Sequence, residues 1–232
     1  MDCIDNTWIS SKGEYILKFE KALARYHSMK HAVVTSNCTT SLHLSLKALD
    51  IGPGNEVICP ALTFIAPANM VTLSGAKLVL VDIHPETLNL DPELIEEKIS
   101  NKTKAIIVVH QFGQAAHMDE IMSLAYKHDL KIIEDNAESI GACYKGKLLG
   151  TFGDVATYSF YGNKIITTGE GGAILTNNDD TAIKSRELRD HGMNHKKKYH
   201  HVDLGYNYRM TNMQAAIGLA QMEKLDEILT LR

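Results

Sequence analysis

Short apolar runs, separated by stretches with helical periodicity, constrain the fold of this chain more than any other sequence feature. They are rich in β-branched residues and occur at 31–35, 56–59, 77–82, 105–110 and 130–135. Runs this apolar are typical of strands that are covered on both faces, as in parallel sheets whose connections are helices. We therefore predict an α/β fold, with a mainly parallel sheet and helices on both faces.

Capping signals and apolar periodicity place the helices. Apolar residues recur at helical spacing over 14–27, and Asn37 can cap a helix over 39–49. Asp91 precedes a proline in the first position of a predicted helix over 91–99. Further along, strands are predicted over 155–160 and 172–176, a helix over 179–190 and a long helix over 211–232. Since no repeat or linker divides the chain, one domain over 1–232 is expected.

Composition narrows the classes of partner. A net charge of -4 gives no electrostatic reason to expect nucleic acid or a membrane surface. The cysteines, Cys3, Cys38, Cys59 and Cys143, show neither a CxxC pair nor a metal-like spacing, which is typical of free thiols in a reducing compartment. The sequence has neither a signal-peptide pattern nor an apolar run of the roughly 18 residues that span a membrane. We expect a cytoplasmic protein with small-molecule ligands, no metal, and no nucleic-acid or membrane partner.

Residues that directly follow the predicted strands are candidates for a site, because ligands of open α/β sheets bind beyond the carboxyl ends of the strands. Cys38 and Thr39 begin a predicted helix, whose N-H groups can bind a phosphate or be satisfied by an ordinary cap. Phe64 can stack on a flat ring or pack in the core. An acid at the end of the strand over 130–135 can pair with a cationic ring nitrogen or cap the next turn. A histidine such as His110 is more often structural.

Lys164 is the strongest candidate for chemistry. It lies between an aromatic strand and a glycine-rich return, TTGEGG, which are unusual neighbours for a solvated charge, although a lone loop lysine is usually one. A lysine, a phosphate cradle, a stacking aromatic and a strand-end aspartate together are what pyridoxal phosphate needs. The lysine amine then forms a Schiff base, while Asp135 keeps the pyridine nitrogen protonated.

Longer motifs make this pattern specific. Segments 134–142, 150–154 and 159–172 resemble the DegT/DnrJ/EryC1/StrS family of sugar aminotransferases. Further agreement comes from WISSKG at 8–13, SNCT at 36–39, HQFG at 110–113 and GYNYRMT at 205–211, and the first and last are similar to perosamine synthase-type 4-aminotransferases. The resemblance implies the large domain of a fold type I pyridoxal phosphate-dependent transferase, like aspartate aminotransferase.

The same resemblance implies how the cofactor is held. Lys164 would form the Schiff base and carry protons, Asp135 would bind the pyridine nitrogen, Glu138 would lie near the ring hydroxyl and Phe64 would stack on the ring. The phosphate would be held by Ser159, by the backbone at Cys38 and Thr39, and by Asn207 of a neighbouring subunit. Cys38 replaces the glycine that is common in this loop, which is tolerable where only its N-H is needed.

The implied reaction moves an amino group from L-glutamate to C4 of a nucleotide-linked 4-keto-6-deoxy sugar of the perosamine or viosamine type, for O-antigen or other glycan biosynthesis. A homodimer with shared active sites is implied as well. Substrate contacts are expected from Trp8, Ser10, Lys12, His110, Tyr161, His201 and Arg209. The sequence leaves three alternatives for the basic segment 191–201. It can be a solvated loop, a contact for the diphosphate of the sugar nucleotide or a metal site, and the metal site is the least favoured because the histidine spacing matches no tight ligand pattern.

Two departures and two alternatives accompany this hypothesis. Family chains continue into a small C-terminal domain and have a short extra N-terminal segment, so 1–232 is expected to be the large domain alone. A catalytically inactive or regulatory fragment that binds the cofactor or a nucleotide sugar is therefore one alternative. A nucleotide-binding oxidoreductase is another, but segment 52–54 is no GxGxxG and precedes a strand. Family dehydratases have histidine in place of Lys164, which argues against dehydration.

Overall fold

The computed structural model describes residues 1–231, and its main element is a seven-stranded sheet. Its strands are β1 (His31–Thr35), β2 (Glu56–Pro60), β3 (Lys77–Val81), β4 (Thr103–Val109), β5 (Lys131–Asp135), β8 (Val155–Ser159) and β9 (Gly172–Thr176). A separate hairpin pairs β6 (Cys143–Tyr144) with β7 (Lys147–Leu148). The turn between them is made by Lys145 and Gly146, both with positive φ, as in a type I′ hairpin turn.

The sheet has the order β1-β9-β8-β5-β4-β2-β3. Neighbouring strands from β8 to β3 are parallel, whereas β9 runs antiparallel to both β8 and β1. The carboxyl ends of β1, β5 and β8 consequently meet at one edge. The prediction of a mainly parallel sheet is confirmed.

Helices cover both faces of this sheet. They are α1 (Asp2–Asp5), α2 (Glu14–Tyr26), α3 (Cys38–Ala48), α4 (Ala66–Ser74), α5 (Met118–Lys127), α6 (Asp179–Arg189), α7 (Asn212–Met222) and α8 (Leu225–Thr230). Alternate residues of β4 show how both faces are buried. Ile107 packs in a cluster with residues of α3 and α4, while Ile106 packs in another cluster with residues of α5. This two-sided burial explains why the strands are apolar throughout.

Two predicted helices differ from the structure. The helix predicted over 91–99 is a pair of 3-10 turns, Pro92–Leu94 and Glu96–Lys98, with hydrogen bonds between residues three apart. Its one fully buried side chain is Ile95, and a single apolar anchor does not sustain an amphipathic α-helix. The helix predicted over 211–232 is broken between α7 and α8, where Leu225 turns into the core. Its last residue, Arg232, lies outside the described residues.

Candidate active site

A cavity of about 670 Å³ opens at the edge where β1, β5 and β8 end. Gly172 pairs with both Thr35 and Ser159, so β9 joins this edge from the opposite direction. The site candidates that line the cavity are Cys38, Thr39, Phe64, His110, Asp135, Glu138, Ser159, Tyr161 and Lys164. Segments far apart in the sequence are thereby brought into one pocket.

The amino terminus of α3 forms one wall of the cavity. The Asn37 side chain accepts a hydrogen bond from the N-H of Thr40 at 2.9 Å, and the Thr40 side chain accepts from the N-H of Asn37, which makes a reciprocal cap. Within residues 1–231 no hydrogen bond uses the N-H of Cys38 or Thr39. The cap and the anion cradle are therefore compatible, since two donors at the positive helix end are left for a ligand.

Gly172 allows β9 to lie directly against this helix start. A Cβ added at Gly172 meets the carbonyl carbon of Asn37 at 2.4 Å and the nitrogen of Cys38 at 2.6 Å. Any side chain would displace the loop that presents the free N-H groups. This close approach is the physical reason for the last glycine of the TTGEGG motif.

Asp135 supplies a buried carboxylate at the floor of the cavity. Its Oδ1 accepts from the N-H of Ala137 at 3.0 Å and lies 3.8 Å from the Cys38 thiol. Among the described residues no hydrogen bond reaches its Oδ2. Burial raises the pKa of Asp135 to about 6, because the hydrogen bond from Ala137 and the charge of Lys164 compensate for only part of the hydration that the charged form loses. A protonated ring nitrogen has the charge and hydrogen-bonding capacity that this free oxygen needs.

Lys164 lines the same cavity, and its amine is held by Glu138. The Nζ of Lys164 is 3.2 Å from Oε1 of Glu138, and Oε2 of Glu138 accepts from the N-H of Phe112 at 2.9 Å. The side chain of Lys164 is only 21% exposed, so its amine is partly shielded but still borders the cavity. This is a suitable position for a nucleophilic amine that is reached from the pocket.

Glu134, the neighbour of Asp135, has a purely structural set of contacts. It accepts from the N-H groups of Gly150, Phe152 and Gly153 and from Nε2 of His110 at 3.2 Å. Although burial raises the pKa of Glu134, these hydrogen bonds, led by that of His110, lower it overall. Asp135 is the acid predicted to face the ligand, and of the two acids it is Asp135 that lines the cavity.

Both ring nitrogens of His110 are engaged within the protein. The N-H of Ala116 donates to Nδ1 at 3.2 Å, so the proton of the neutral ring is on Nε2 and is donated to Glu134. His110 thus borders the cavity as a fully buried structural histidine. Its role as a substrate contact remains a prediction.

Tyr161 lines this cavity, whereas the remaining predicted substrate residues, Trp8, Ser10, Lys12, His201 and Arg209, lie outside it. Trp8, Ser10 and Lys12 belong to a segment that is held by Asn212. The Asn212 side chain donates to the carbonyl of Trp8 at 2.7 Å, and its backbone N-H donates to the carbonyl of Ser10 at 2.7 Å. Gly13 lets this segment pass Asn212, because an added Cβ meets the Asn212 side chain at 2.2 Å.

Asn207 and Arg209 lie near one another on a segment beside the end of β1. Arg209 donates to the Asn207 side chain at 3.0 Å and pairs with Asp190 at 2.9 Å. Asn207 does not line the cavity of its own chain, and His201 is exposed on the loop that follows α6. A second cavity of about 450 Å³ is lined by Lys12 and Arg209, with other basic side chains of the 186–198 region.

Several residues that border the main cavity were not found from the sequence. They are Asn37, Leu42, Thr63, Ala66, Val109, Gln111, Phe112, Ala137, Asn163 and Glu170. Of these, Phe112 stands out, with 76% exposure and a φ of 54°. The adjacent Gly113 in the HQFG motif was the available signal, because glycine next to an aromatic after a strand marks a tight turn.

Residues 1–231 offer neither a metal-binding cluster nor a membrane-spanning helix. No group of three or more histidine, cysteine, aspartate or glutamate side chains there is arranged to hold a metal ion. None of the helices in the same range has the length and apolar character needed to cross a membrane. The four cysteines are free, and Cys143 alone among them is exposed.

The model of the DegT/DnrJ/EryC1/StrS aminotransferase family matches residues 1–232. The chain belongs to this family. GDP-perosamine synthase of Caulobacter vibrioides is 56% identical over 232 residues, covering 100% of this chain and 62% of that protein. GDP-perosamine synthase of Escherichia coli O157:H7 is 48% identical over 229 residues, covering 99% of this chain and 63% of the relative. This DegT-family chain thus spans less than two thirds of the length of these relatives.

Solved structures of the DegT family share the fold. The crystal structure of NtdA from Bacillus subtilis with bound cofactor PMP has a TM-score of 0.92 and 37% identity, covering 97% of this chain and 51% of that one. The fold is that of pyridoxal phosphate-dependent aminotransferases of this family. The free Oδ2 of Asp135, the paired N-H donors of α3 and the amine of Lys164 fit pyridoxal phosphate, which is the family's cofactor.

Proposed function

We propose that this chain forms the cofactor-binding part of an aminotransferase that moves an amino group from L-glutamate to C4 of a GDP-linked 4-keto-6-deoxy sugar. The observation that carries the proposal is the convergence of Lys164, Asp135 and the free N-H groups of α3 on one cavity. The relatives named GDP-perosamine synthase support the choice of nucleotide and sugar. Use of the product in a glycan such as O-antigen belongs to the same proposal.

Each side chain of the cavity has a distinct task in this reaction. When bound, pyridoxal phosphate supplies an electron sink for the carbon from which a proton is removed. Asp135 presents Oδ2 to the ring nitrogen, and the N-H groups of Cys38 and Thr39 hold the phosphate together with Ser159. Phe64, at the cavity mouth, covers one face of the ring. These contacts fix the reacting carbon relative to Lys164.

Lys164 is the proton carrier of the proposed reaction. Its Nζ borders the cavity and is held at 3.2 Å by Glu138, so it can take a proton from the donor carbon and return one to an adjacent position. Glu138 keeps the amine oriented between these transfers. The partial shielding of both side chains limits the water that competes for the proton.

The proposal includes a homodimer whose two active sites are shared. Asn207 does not line its own chain's cavity, and its side-chain oxygen accepts from Arg209. Among residues 1–231 no hydrogen bond uses its side-chain amide N-H donors, which are therefore left for another surface. We place the phosphate of a second subunit there. Trp8, Ser10, Lys12, Tyr161, His201 and Arg209 are proposed substrate contacts of the completed site, and a cytoplasmic location fits the free cysteines.

A catalytically inactive or regulatory fragment is the less favoured alternative. Residues needed for chemistry, including Lys164, are in place, and a regulatory cofactor binder does not require this amine in the pocket. The domain assignment, with 1–232 as a large domain followed by a small one, is part of the proposal and is consistent with the 62% coverage of the Caulobacter protein.

A two-stage spectroscopic experiment tests the proposal. Full-length protein loaded with pyridoxal phosphate is expected to lose its visible band on addition of L-glutamate and to recover it on addition of the GDP-linked keto sugar. UDP- and dTDP-linked keto sugars serve as controls for the nucleotide and are expected to restore the band more slowly. A loaded protein that does not respond to glutamate would show that the transaminase assignment is wrong.

A further inference from the structure

Phe112 combines a strained backbone with an exposed aromatic ring at the mouth of the cavity. Its φ of 54° and ψ of 22° lie in the left-handed region, where bulky residues are outliers. Its side chain is 76% exposed. Leaving a phenylalanine ring in water forgoes the stabilisation that burial provides, and backbone strain of this kind concentrates at ligand sites.

The backbone around Phe112 is fixed from behind by several groups. The N-H of Gln111 donates to the buried Asn89 side chain at 2.9 Å, and the N-H of Phe112 donates to Glu138 at 2.9 Å. The N-H of Gly113 donates to the carbonyl of His110 at 3.1 Å. Hydrogen bonds therefore fix the backbone of the strained residue, which borders the cavity.

Phe112 also lies on the reacting side of the cavity. The two oxygens of one carboxylate, that of Glu138, bind the N-H of Phe112 and the Nζ of Lys164. This carboxylate bridges the Phe112 backbone and the amine that the proposed reaction uses. Phe112 and Lys164 line the same cavity, so a substrate that reaches Lys164 occupies the space that Phe112 borders.

The geometry points to Phe112 as a specificity-determining residue for the sugar, with its ring packed against the apolar C-H face and the 6-methyl group of a nucleotide-linked 6-deoxy hexose. This inference rests on the proposed function and assigns one residue of that site. The ring's apolar face favours a methyl group over a hydroxymethyl group, because a hydroxyl packed there would lose its hydrogen bonds to water.

Binding measurements test this role without relying on turnover. Calorimetry with full-length protein compares a GDP-linked 6-deoxy hexose with the matching GDP-linked hexose that carries the 6-hydroxyl. Wild-type protein is expected to prefer the 6-deoxy sugar, and Phe112→Gly to weaken its binding by roughly ten-fold to a hundred-fold and abolish the preference. Phe112→Tyr should retain the preference, as should Tyr126→Ala, which removes an exposed ring remote from the cavity.

Phe112→Gly also separates substrate binding from folding, because glycine adopts the left-handed conformation without strain. The variant is expected to unfold at a denaturant concentration no lower than that of wild type. Its KM for the keto sugar should rise, and its rate of reaction with glutamate should fall by a smaller factor than the KM rises. Unchanged sugar affinity in Phe112→Gly, or a change in subunit assembly in place of sugar affinity, would overturn the inference. Lack of reaction between wild-type protein and glutamate would instead refute the proposed function, and the calorimetry would still decide the role of Phe112.

Discussion

Glu138 bonds to Lys164 across 3.2 Å and so holds the amine that the proposed chemistry requires. Its second oxygen accepts a hydrogen bond from the N-H of Phe112 at 2.9 Å. One carboxylate therefore connects the loop after β4 with the loop that carries Lys164. Glu138 orients the lysine amine and also fixes the strained turn at Phe112. Substitutions of Glu138 that remove one of these two contacts and keep the other therefore test each role separately.

Glu138→Gln is expected to slow the reaction of the loaded protein with L-glutamate by about ten-fold, because a charge-assisted hydrogen bond to Lys164 is lost. The amide oxygen can still accept from Phe112, so the fold should be retained. Stopped-flow absorbance measures the rate, with the exposed Glu86→Gln as the matched control. A rate equal to wild type would contradict the positioning role.

Asp135→Asn is expected to stabilise the cofactor-free protein at pH 8 by about 2 to 3 kcal/mol. The folded-state pKa of Asp135, about 6, lies above the ordinary value of 3.8, so ionisation opposes folding. This penalty is absent below pH 3.8 and develops as the pH rises through 6. Urea unfolding at pH 5 and pH 8 should therefore show a larger gain at pH 8.

The same substitution should weaken cofactor binding, because an amide cannot hold a protonated ring nitrogen as a carboxylate does. Asp129→Asn is the matched control, since Asp129 is exposed and its φ of 52° suits asparagine. An Asp135→Asn protein that binds pyridoxal phosphate as tightly as wild type would argue against the assigned partner of the ring.

His27 is expected to destabilise the protein in acid. Burial lowers its pKa to about 4 from 6.5, even though a hydrogen bond to the Leu23 carbonyl acts in the opposite direction. The unfolded chain therefore binds more protons between these values, and the contribution of His27 to stability falls as the pH drops from 6.5 towards 4.

His27→Phe keeps an aromatic ring beside Tyr158 and removes this titration. As the pH falls from 7 to 4.5, the unfolding free energy of the variant should rise relative to that of wild type by roughly 2 to 3 kcal/mol. Chemical denaturation at several pH values measures the change, with the exposed His200→Phe as control. A pH-independent difference would show that His27 is not buried in its neutral form.

Asn212→Ala is expected to destabilise the protein by roughly 2 to 3 kcal/mol and to loosen the segment from Trp8 to Gly13. The buried amide donates to the Trp8 carbonyl and accepts from the N-H of Tyr15 at 3.0 Å, so alanine leaves both groups unpaired. Urea unfolding and limited proteolysis near residue 10 measure the two effects. Asn101→Ala, at an exposed turn, should change neither.

The strands were predictable because burial on both faces forces continuous apolar, β-branched runs. Gly172–Thr176 was predicted with its observed bounds, but its insertion between β1 and β8 could not be, since strand order depends on pairing between distant segments. The prediction of one continuous helix over 211–232 was wrong for a related reason. Its periodicity is continuous in sequence, while the turn that buries Leu225 depends on the shape of the core.

The cofactor side of the candidate site was more predictable than the substrate side. Cys38, Asp135 and Ser159 follow or end strands, so a parallel sheet brings them together. At the end of β5 the resemblance to the family predicted Asp135, and the contacts within the protein that occupy the neighbouring Glu134 could be seen only in the structure. Phe112 was missed since neither periodicity nor spacing reveals a left-handed aromatic residue.

Borohydride trapping followed by peptide mass analysis tests the central claim most directly. Full-length protein loaded with pyridoxal phosphate and reduced should carry the cofactor on one peptide, that containing Lys164, and the visible absorbance should disappear. Lys164→Ala should show neither the band nor the labelled peptide, while Lys12→Ala should show both. Cofactor attached to another lysine, or none attached to wild-type protein, would contradict the account.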